Sequence, residues 1–120
     1  MAPAELVGPT RSGRTVVISG DTRPAKALAQ AARGADLLIH EATFSDEDRM
    51  RAKETGHSTA REAAELAREA GVHHLVLTHI SPRYNRDAPE LLEEARQLFP
   101  ETTIARDGMV VDVPFQDGGE

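Results

Sequence analysis

Three times in the first eighty residues, a short apolar run stops at titratable side chains and gives way to a helix-forming segment. The first run is Thr15-Val16-Val17-Ile18, β-branched and apolar, the pattern of a buried strand at about 15–19. It stops at Ser19-Gly20-Asp21-Thr22-Arg23-Pro24, and a helix is predicted at about 24–33, with proline in its first turn and Gly34 past its end. The second run, Ala35 to Ile39, stops at His40-Glu41-Ala42-Thr43-Phe44. The charged stretch Ser45 to Glu54 that follows reads as a solvated helix face or a loop. A helix is predicted at about 59–70, where Thr59 and Glu62 have capping-box spacing and Gly71 closes the last turn. The third run, Leu75 to Thr78, stops at His79 and a Ser81-Pro82-Arg83-Tyr84 turn. Strands alternating with helices in this way specify an α/β fold with a largely parallel sheet.

The remaining segments fit around that frame. Residues 1–14 are rich in Pro, Gly and Arg without periodicity and read as an irregular lead-in. Asp87, with Glu90 three residues on, is placed to cap a helix at about 88–98. Thr102 to Ala105 reads as a short strand, Arg106-Asp107-Gly108 as a hairpin turn and Met109 to Val113 as its partner. Residues 114–120 read as a disordered tail. No internal repeat or linker divides residues 15–113.

Composition limits the chemistry. Cysteine is absent, so disulfides and thiolate metal sites are excluded, and any metal must be held by the five His or by carboxylates. A net charge of −6 leaves no global basic footprint, so a nucleic-acid partner would need a local patch or other parts of a complex. No apolar run approaches the roughly 20 residues that span a bilayer. The start of the chain lacks a cationic segment followed by an apolar one. No membrane partner and a cytoplasmic location are expected.

The ends of neighbouring parallel strands lie side by side, so Asp21, His40-Glu41 and His79 should converge on one sheet edge, where α/β proteins collect ligands. His57, just before a helix, is a fourth candidate. Asp21 in its turn reads either as a hard oxygen ligand for a cation or as a helix cap. The set suggests metal-assisted hydrolysis, with Asp21 bridging two cations and His79 completing one of them. A His57–Glu41 pair would orient a proton donor. His40 reads as a structural, hydrogen-bonded histidine, and His73 and His74 as residues without a special role.

Four motifs in order, Ser-Gly-Asp-Thr-Arg-Pro at 19–24, His-Glu-Ala-Thr-Phe at 40–44, Gly-His-Ser-Thr at 56–59 and Leu-Thr-His-Ile-Ser-Pro-Arg-Tyr at 77–84, resemble the C-terminal half of ribonuclease Z. That family comprises the tRNA 3′-processing endonucleases of the metallo-β-lactamase superfamily. The resemblance runs over about residues 7–113. It implies the C-terminal half of an αβ/βα sandwich and zinc-dependent removal of tRNA 3′ trailers from precursor tRNA. Two zinc ions per complete site are implied, with manganese as a substitute. Asp21 would be the bridging ligand and His79 the late ligand. Glu41 and His57 would form the dyad at the scissile phosphate, and Ser81, Arg83 and Tyr84 match a run that supports the site or contacts RNA.

The family's His-x-His-x-Asp-His cluster, its further ligand histidine and its tRNA-gripping arm have no counterpart in these residues. The chain therefore reads as a fragment or one half of a split enzyme, paired with an N-terminal half or in a homodimer. Alone it is expected to bind zinc weakly or not at all, since such sites generally need at least three protein ligands. It is also expected to expose apolar surface. The alternatives are another hydrolase of the same fold, or an inactive piece that works only with a partner.

Overall fold

The computed structural model describes residues 4–11, 14–20, 22–82, 84 and 88–105. Its elements are β1 (Ala4–Arg11), β2 (Arg14–Ser19), α1 (Lys26–Ala31), β3 (Leu37–Glu41), α2 (Arg49–Thr55), α3 (Ala60–Ala70), β4 (His74–Thr78), α4 (Pro89–Leu98) and β5 (Thr102–Ile104), with a 3-10 turn at Asp46–Asp48 before α2. They form an α/β fold on one sheet whose strands lie in chain order, β2 to β5 parallel and β1 antiparallel to β2.

Strand β1 corrects the expectation of an irregular lead-in. It pairs from Ala4 opposite Ser19 to Arg11 opposite Arg14, and the register slips between Val7 and Arg11. Gly8 and Pro9 fall in that slip, at an edge strand, where a residue without an N–H is tolerated. The predicted hairpin at 106–113 and the tail lie outside the described residues.

One face of the sheet carries the core. Val17, Leu38 and Leu75 stand in register across β2, β3 and β4, with Leu77 and Ile104 one step further along. Leu28 of α1, Ala63, Ala64 and Ala67 of α3, and Leu91 and Ala95 of α4 pack on them. Alanine dominates this helical side and brings α3 close to the strands. Of the alternate residues on the opposite face, Val16, Ile18 and Ile39 are half-buried, while Leu37 and Val76 are buried.

Local signals account for both ends of α3. Thr59 and Glu62 make the predicted capping box: Glu62 N–H donates to Thr59 Oγ1 at 3.0 Å, and Thr59 N–H donates to Glu62 Oε1 at 3.0 Å. Gly71 ends α3 at φ 72°, a conformation that a Cβ would strain. Thr59→Ala should therefore cost about 1 kcal/mol of stability, read from the urea midpoint; an unchanged midpoint would discount the cap. Helix α1 is shorter than predicted, because Ala25 offers no capping side chain and Pro24 stays outside it. Helix α4 starts at Pro89 behind Ala88, which sits in the left-handed region at φ 45°. The predicted cap, Asp87, lies outside the described residues.

Candidate functional site

The register that builds the core also aligns the strand ends. Ile18, Ile39 and Val76 sit abreast, and Glu41 lies opposite Thr78. The chain leaving β3 is then zipped to the chain entering α3: Phe44 pairs with Thr59, Phe44 N–H donates to Ser58 O, and Ala60 N–H donates to Phe44 O at 2.9 Å. Two segments far apart in sequence, 41–44 and 57–60, thus meet at the ends of β2 and β4.

Glu41 is the centre of this meeting. It is 1% exposed. Its Oε1 accepts from His57 Nδ1–H at 2.6 Å and from Thr22 N–H at 3.4 Å. Its Oε2 accepts from Thr43 N–H at 3.1 Å, Ser58 N–H at 3.0 Å and the Thr43 hydroxyl at 3.3 Å. One carboxylate therefore joins the turn after β2, the exit of β3 and the approach to α3. The burial cost of the charge is offset by this dense set of donors.

The two imidazoles lie together. His57 and His79 stack with ring centroids 5.3 Å apart and planes 18° from parallel, and Phe44 meets His57 edge-on at 6.3 Å. His79 holds a left-handed backbone at φ 60°, a strained conformation for a residue with a Cβ and one that gathers at functional sites. Thr43 Oγ1 lies 2.9 Å from His79 Nδ1 and 3.3 Å from His57 Nδ1.

Of the residues read from sequence, Glu41, His57 and His79 are brought into one cluster. Ser81 N–H donates to Thr43 O at 3.0 Å, and Tyr84 N–H closes the turn onto Ser81 O at 3.1 Å. The Tyr84 hydroxyl donates to Asp48 and accepts from Ser45 N–H at 2.8 Å, which ties that turn to the loop after β3. Burial, followed by the bond to Asp48, raises the Tyr84 pKa. Asp21 and Arg83 lie outside the described residues.

Three further residues were not singled out by sequence. Arg23 grips Glu62 with two bonds of 2.7 and 2.8 Å and donates to His57 O at 2.7 Å, holding the His57 backbone to the start of α3. Ser58 Oγ donates to Thr22 O at 2.6 Å. Thr43 bridges the carboxylate and both imidazoles. Each lies within the motifs at 19–24, 40–44 and 56–59, but their pairings cross the fold and carry no local signal.

His40 points away from this cluster. It is fully buried, with Nδ1 donating to Glu41 O at 2.7 Å and Nε2 lacking a hydrogen-bond partner among the described residues. Burial lowers its pKa, against smaller opposing effects from Glu41 and Glu62. The unfolded chain therefore binds a proton that the native state refuses. Stability should be insensitive to this group above about pH 6.5 and should fall as pH drops below it towards the lowered native value. Denaturant melts of the protein and of His40→Asn between about pH 5 and 7.5 check this; an equal pH slope in both proteins would refute it.

A family model described as the beta-lactamase superfamily domain matches residues 6–80. The chain belongs to the β-lactamase superfamily. Among curated relatives of this superfamily member, ribonuclease Z of Gemmatimonas aurantiaca is 62% identical over 112 residues, covering 93% of this chain and 36% of the relative. Ribonuclease Z of Myxococcus xanthus is 53% identical, covering 96% of this chain and 38% of the relative. The chain thus spans little more than a third of the length of these relatives. Among solved structures it resembles the short form of human tRNase Z, with TM-score 0.68 and 37% identity over 86% of this chain and 35% of that one. It also resembles the metallo-β-lactamase fold protein YhfI of Bacillus subtilis, with TM-score 0.73 and 33% identity over 81% of this chain and 39% of that one. Its α/β fold is therefore that of the metallo-β-lactamase proteins. No helix among the described residues is long and apolar enough to cross a membrane.

Proposed function

We propose that this chain is the part of a ribonuclease Z-type endonuclease that supplies the proton donor and a share of the metal ligands, acting on precursor tRNA to remove 3′ trailers. The observation that carries the reading is the 2.6 Å Glu41–His57 pair, its ring stacked on His79 at converging strand ends, in a chain so similar to proteins named ribonuclease Z.

His57 acts as the general acid. Glu41 takes its Nδ1–H, which fixes the ring and leaves Nε2 to carry the transferred proton to the leaving oxygen. Arg23 holds the His57 backbone in place. Asp21 and His79 are the residues that would hold zinc, or manganese in its place. His79 fits that role by its place at the end of β4, stacked on His57 with its Nδ1 facing Thr43. Among the described residues no group of three or more His, Cys, Asp or Glu could hold a metal ion, so a complete site draws ligands from other segments. An ion bound there supplies an activated water and stabilises charge on the phosphodiester. Arg83 contacts an RNA phosphate, while Ser81 and Tyr84 brace the loop that carries Thr43. The remaining ligands come from an N-terminal half or a second subunit, in the cytoplasm.

The test offers 3′-extended precursor tRNA, with zinc or manganese, to the chain alone and to a chimera. In the chimera these residues replace the matching segment of the Gemmatimonas relative. Trailer release by the chimera, abolished by a chelator, is expected. A folded, zinc-loaded chimera that leaves the precursor intact would refute the reading.

A further inference from the structure

We propose that Glu94 is a positioning residue: from α4 it closes the outer end of the junction between residues 43–46 and 58–61, and so holds His57 on Glu41. The inference rests on the proposed function only for the use to which His57 is put. The closure itself follows from the hydrogen bonds.

The two segments run side by side in parallel, with Phe44 opposite Thr59. Among the described residues, two backbone bonds join them: Phe44 N–H donates to Ser58 O at 3.4 Å, and Ala60 N–H donates to Phe44 O at 2.9 Å. A pairing that short is marginal by itself. A carboxylate stands at each end of it. At the inner end Glu41 Oε2 accepts from Thr43 N–H and Ser58 N–H, one donor from each segment. At the outer end Glu94 does the same. Its Oε2 accepts from Arg61 N–H at 2.8 Å and from Asp46 N–H at 3.1 Å, and its Oε1 from Asp46 N–H at 3.0 Å. Asp46 and Arg61 each lie two residues past the Phe44–Thr59 pair, so a side chain of α4 supplies the next rung.

The surroundings leave this task to Glu94. The Tyr84 hydroxyl accepts from Ser45 N–H, which anchors the loop to the turn after β4 and leaves the Asp46 N–H to Glu94. The Asp46 carboxylate offers little hold, since its Oδ1 is buried without a hydrogen-bond partner among the described residues. Arg61 N–H lies in the first turn of α3, where a helix needs acceptors, and the neighbouring Glu62 N–H already goes to Thr59 Oγ1. Burial raises the Glu94 pKa, against the bonds from Asp46 and Arg61 that lower it, so the position favours an acceptor oxygen over a charge. The bond from Ser58 N–H to Glu41 sits beside His57 in the chain. If the outer end opens, residues 58–61 are free to lift from 43–46, and His57 moves with them.

The experiment is amide hydrogen exchange on the 120-residue chain, without metal or RNA, together with the ring carbon signals of His57. The native chain is compared with Glu94→Ala and Glu94→Gln. In Glu94→Ala the protection of the Phe44, Ser58 and Ala60 amides should fall by about tenfold or more. The amides of His73 and Leu75, which donate to Ala35 O and Glu101 O, should keep theirs within about threefold. The His57 ring signals should shift in the same variant. Glu94→Gln keeps an acceptor oxygen and should restore both readouts towards the native values. Unchanged protection at Phe44, Ser58 and Ala60 overturns the proposal. So does a loss shared equally by His73 and Leu75, up to unfolding of the chain, which would mean that Glu94 supports the fold as a whole. A loosened junction with unmoved His57 signals, or a Glu94→Gln chain as loose as Glu94→Ala, overturns it too. No readout here depends on cleavage, so failure of the chimera assay and failure of this proposal are separate results.

Discussion

Glu41→Ala brings the chain close to unfolding under ordinary conditions. The substitution strands the backbone N–H groups of Thr22, Thr43 and Ser58 and the Nδ1–H of His57, in a place where Glu41 was 1% exposed. Each stranded buried donor costs about 1–3 kcal/mol, and loss of one partner from a buried charged cluster typically totals about 3–5 kcal/mol. Domains of this size have only about 5–15 kcal/mol to lose. With a urea m value of about 1–3 kcal/mol/M, the midpoint should fall by more than about 1 M. Glu41→Gln keeps an acceptor oxygen for the backbone donors and should lose less than Ala. A Glu41→Ala midpoint within about 0.3 M of the native one would show that Glu41 does not hold the three segments together.

His57→Ala separates chemistry from stability. The ring is 19% exposed and packs on Phe44 and His79 at the edge of the fold rather than in the core, so the chain should still fold. If His57 donates the proton to the leaving oxygen, its removal from the active chimera should slow single-turnover cleavage by about 10²–10⁴-fold, with little change in RNA affinity. Adding His57→Ala to Glu41→Gln should cost little beyond the larger single effect, because the two residues act as one unit. A slowing below about tenfold would remove His57 from the proton-transfer role.

Much of the frame was legible in the residues. Apolar runs at 15–18, 35–39 and 75–78, glycine after the helices and the Thr59–Glu62 spacing are local signals, and local signals survive in a linear reading. The parallel order of β2 to β5 followed from the alternation, because helices must return the chain to the same end of the sheet. Placing titratable residues at successive strand ends therefore placed Glu41 and His79 on one edge. Strand β1 escaped this reading because Gly8 and Pro9 erase the strand pattern. Only pairing with β2, a contact made in three dimensions, makes that segment extended. The left-handed start of α4 at Ala88 has the same character.

The sequence alone thus determined the α/β class, the capping box of α3 and the strand ends at which Glu41 and His79 stand, since each depends on neighbours within a few residues. Tertiary structure alone decided that Glu41 reaches Thr22, Thr43, His57 and Ser58 at once, that Arg23 holds the His57 backbone, and that Thr43 stands between two imidazoles. These bonds join residues 14 to 36 positions apart, apart from those between Glu41 and Thr43. Their geometry is set by the strand register and by the packing of α3 on the sheet, and no local pattern of side chains encodes either.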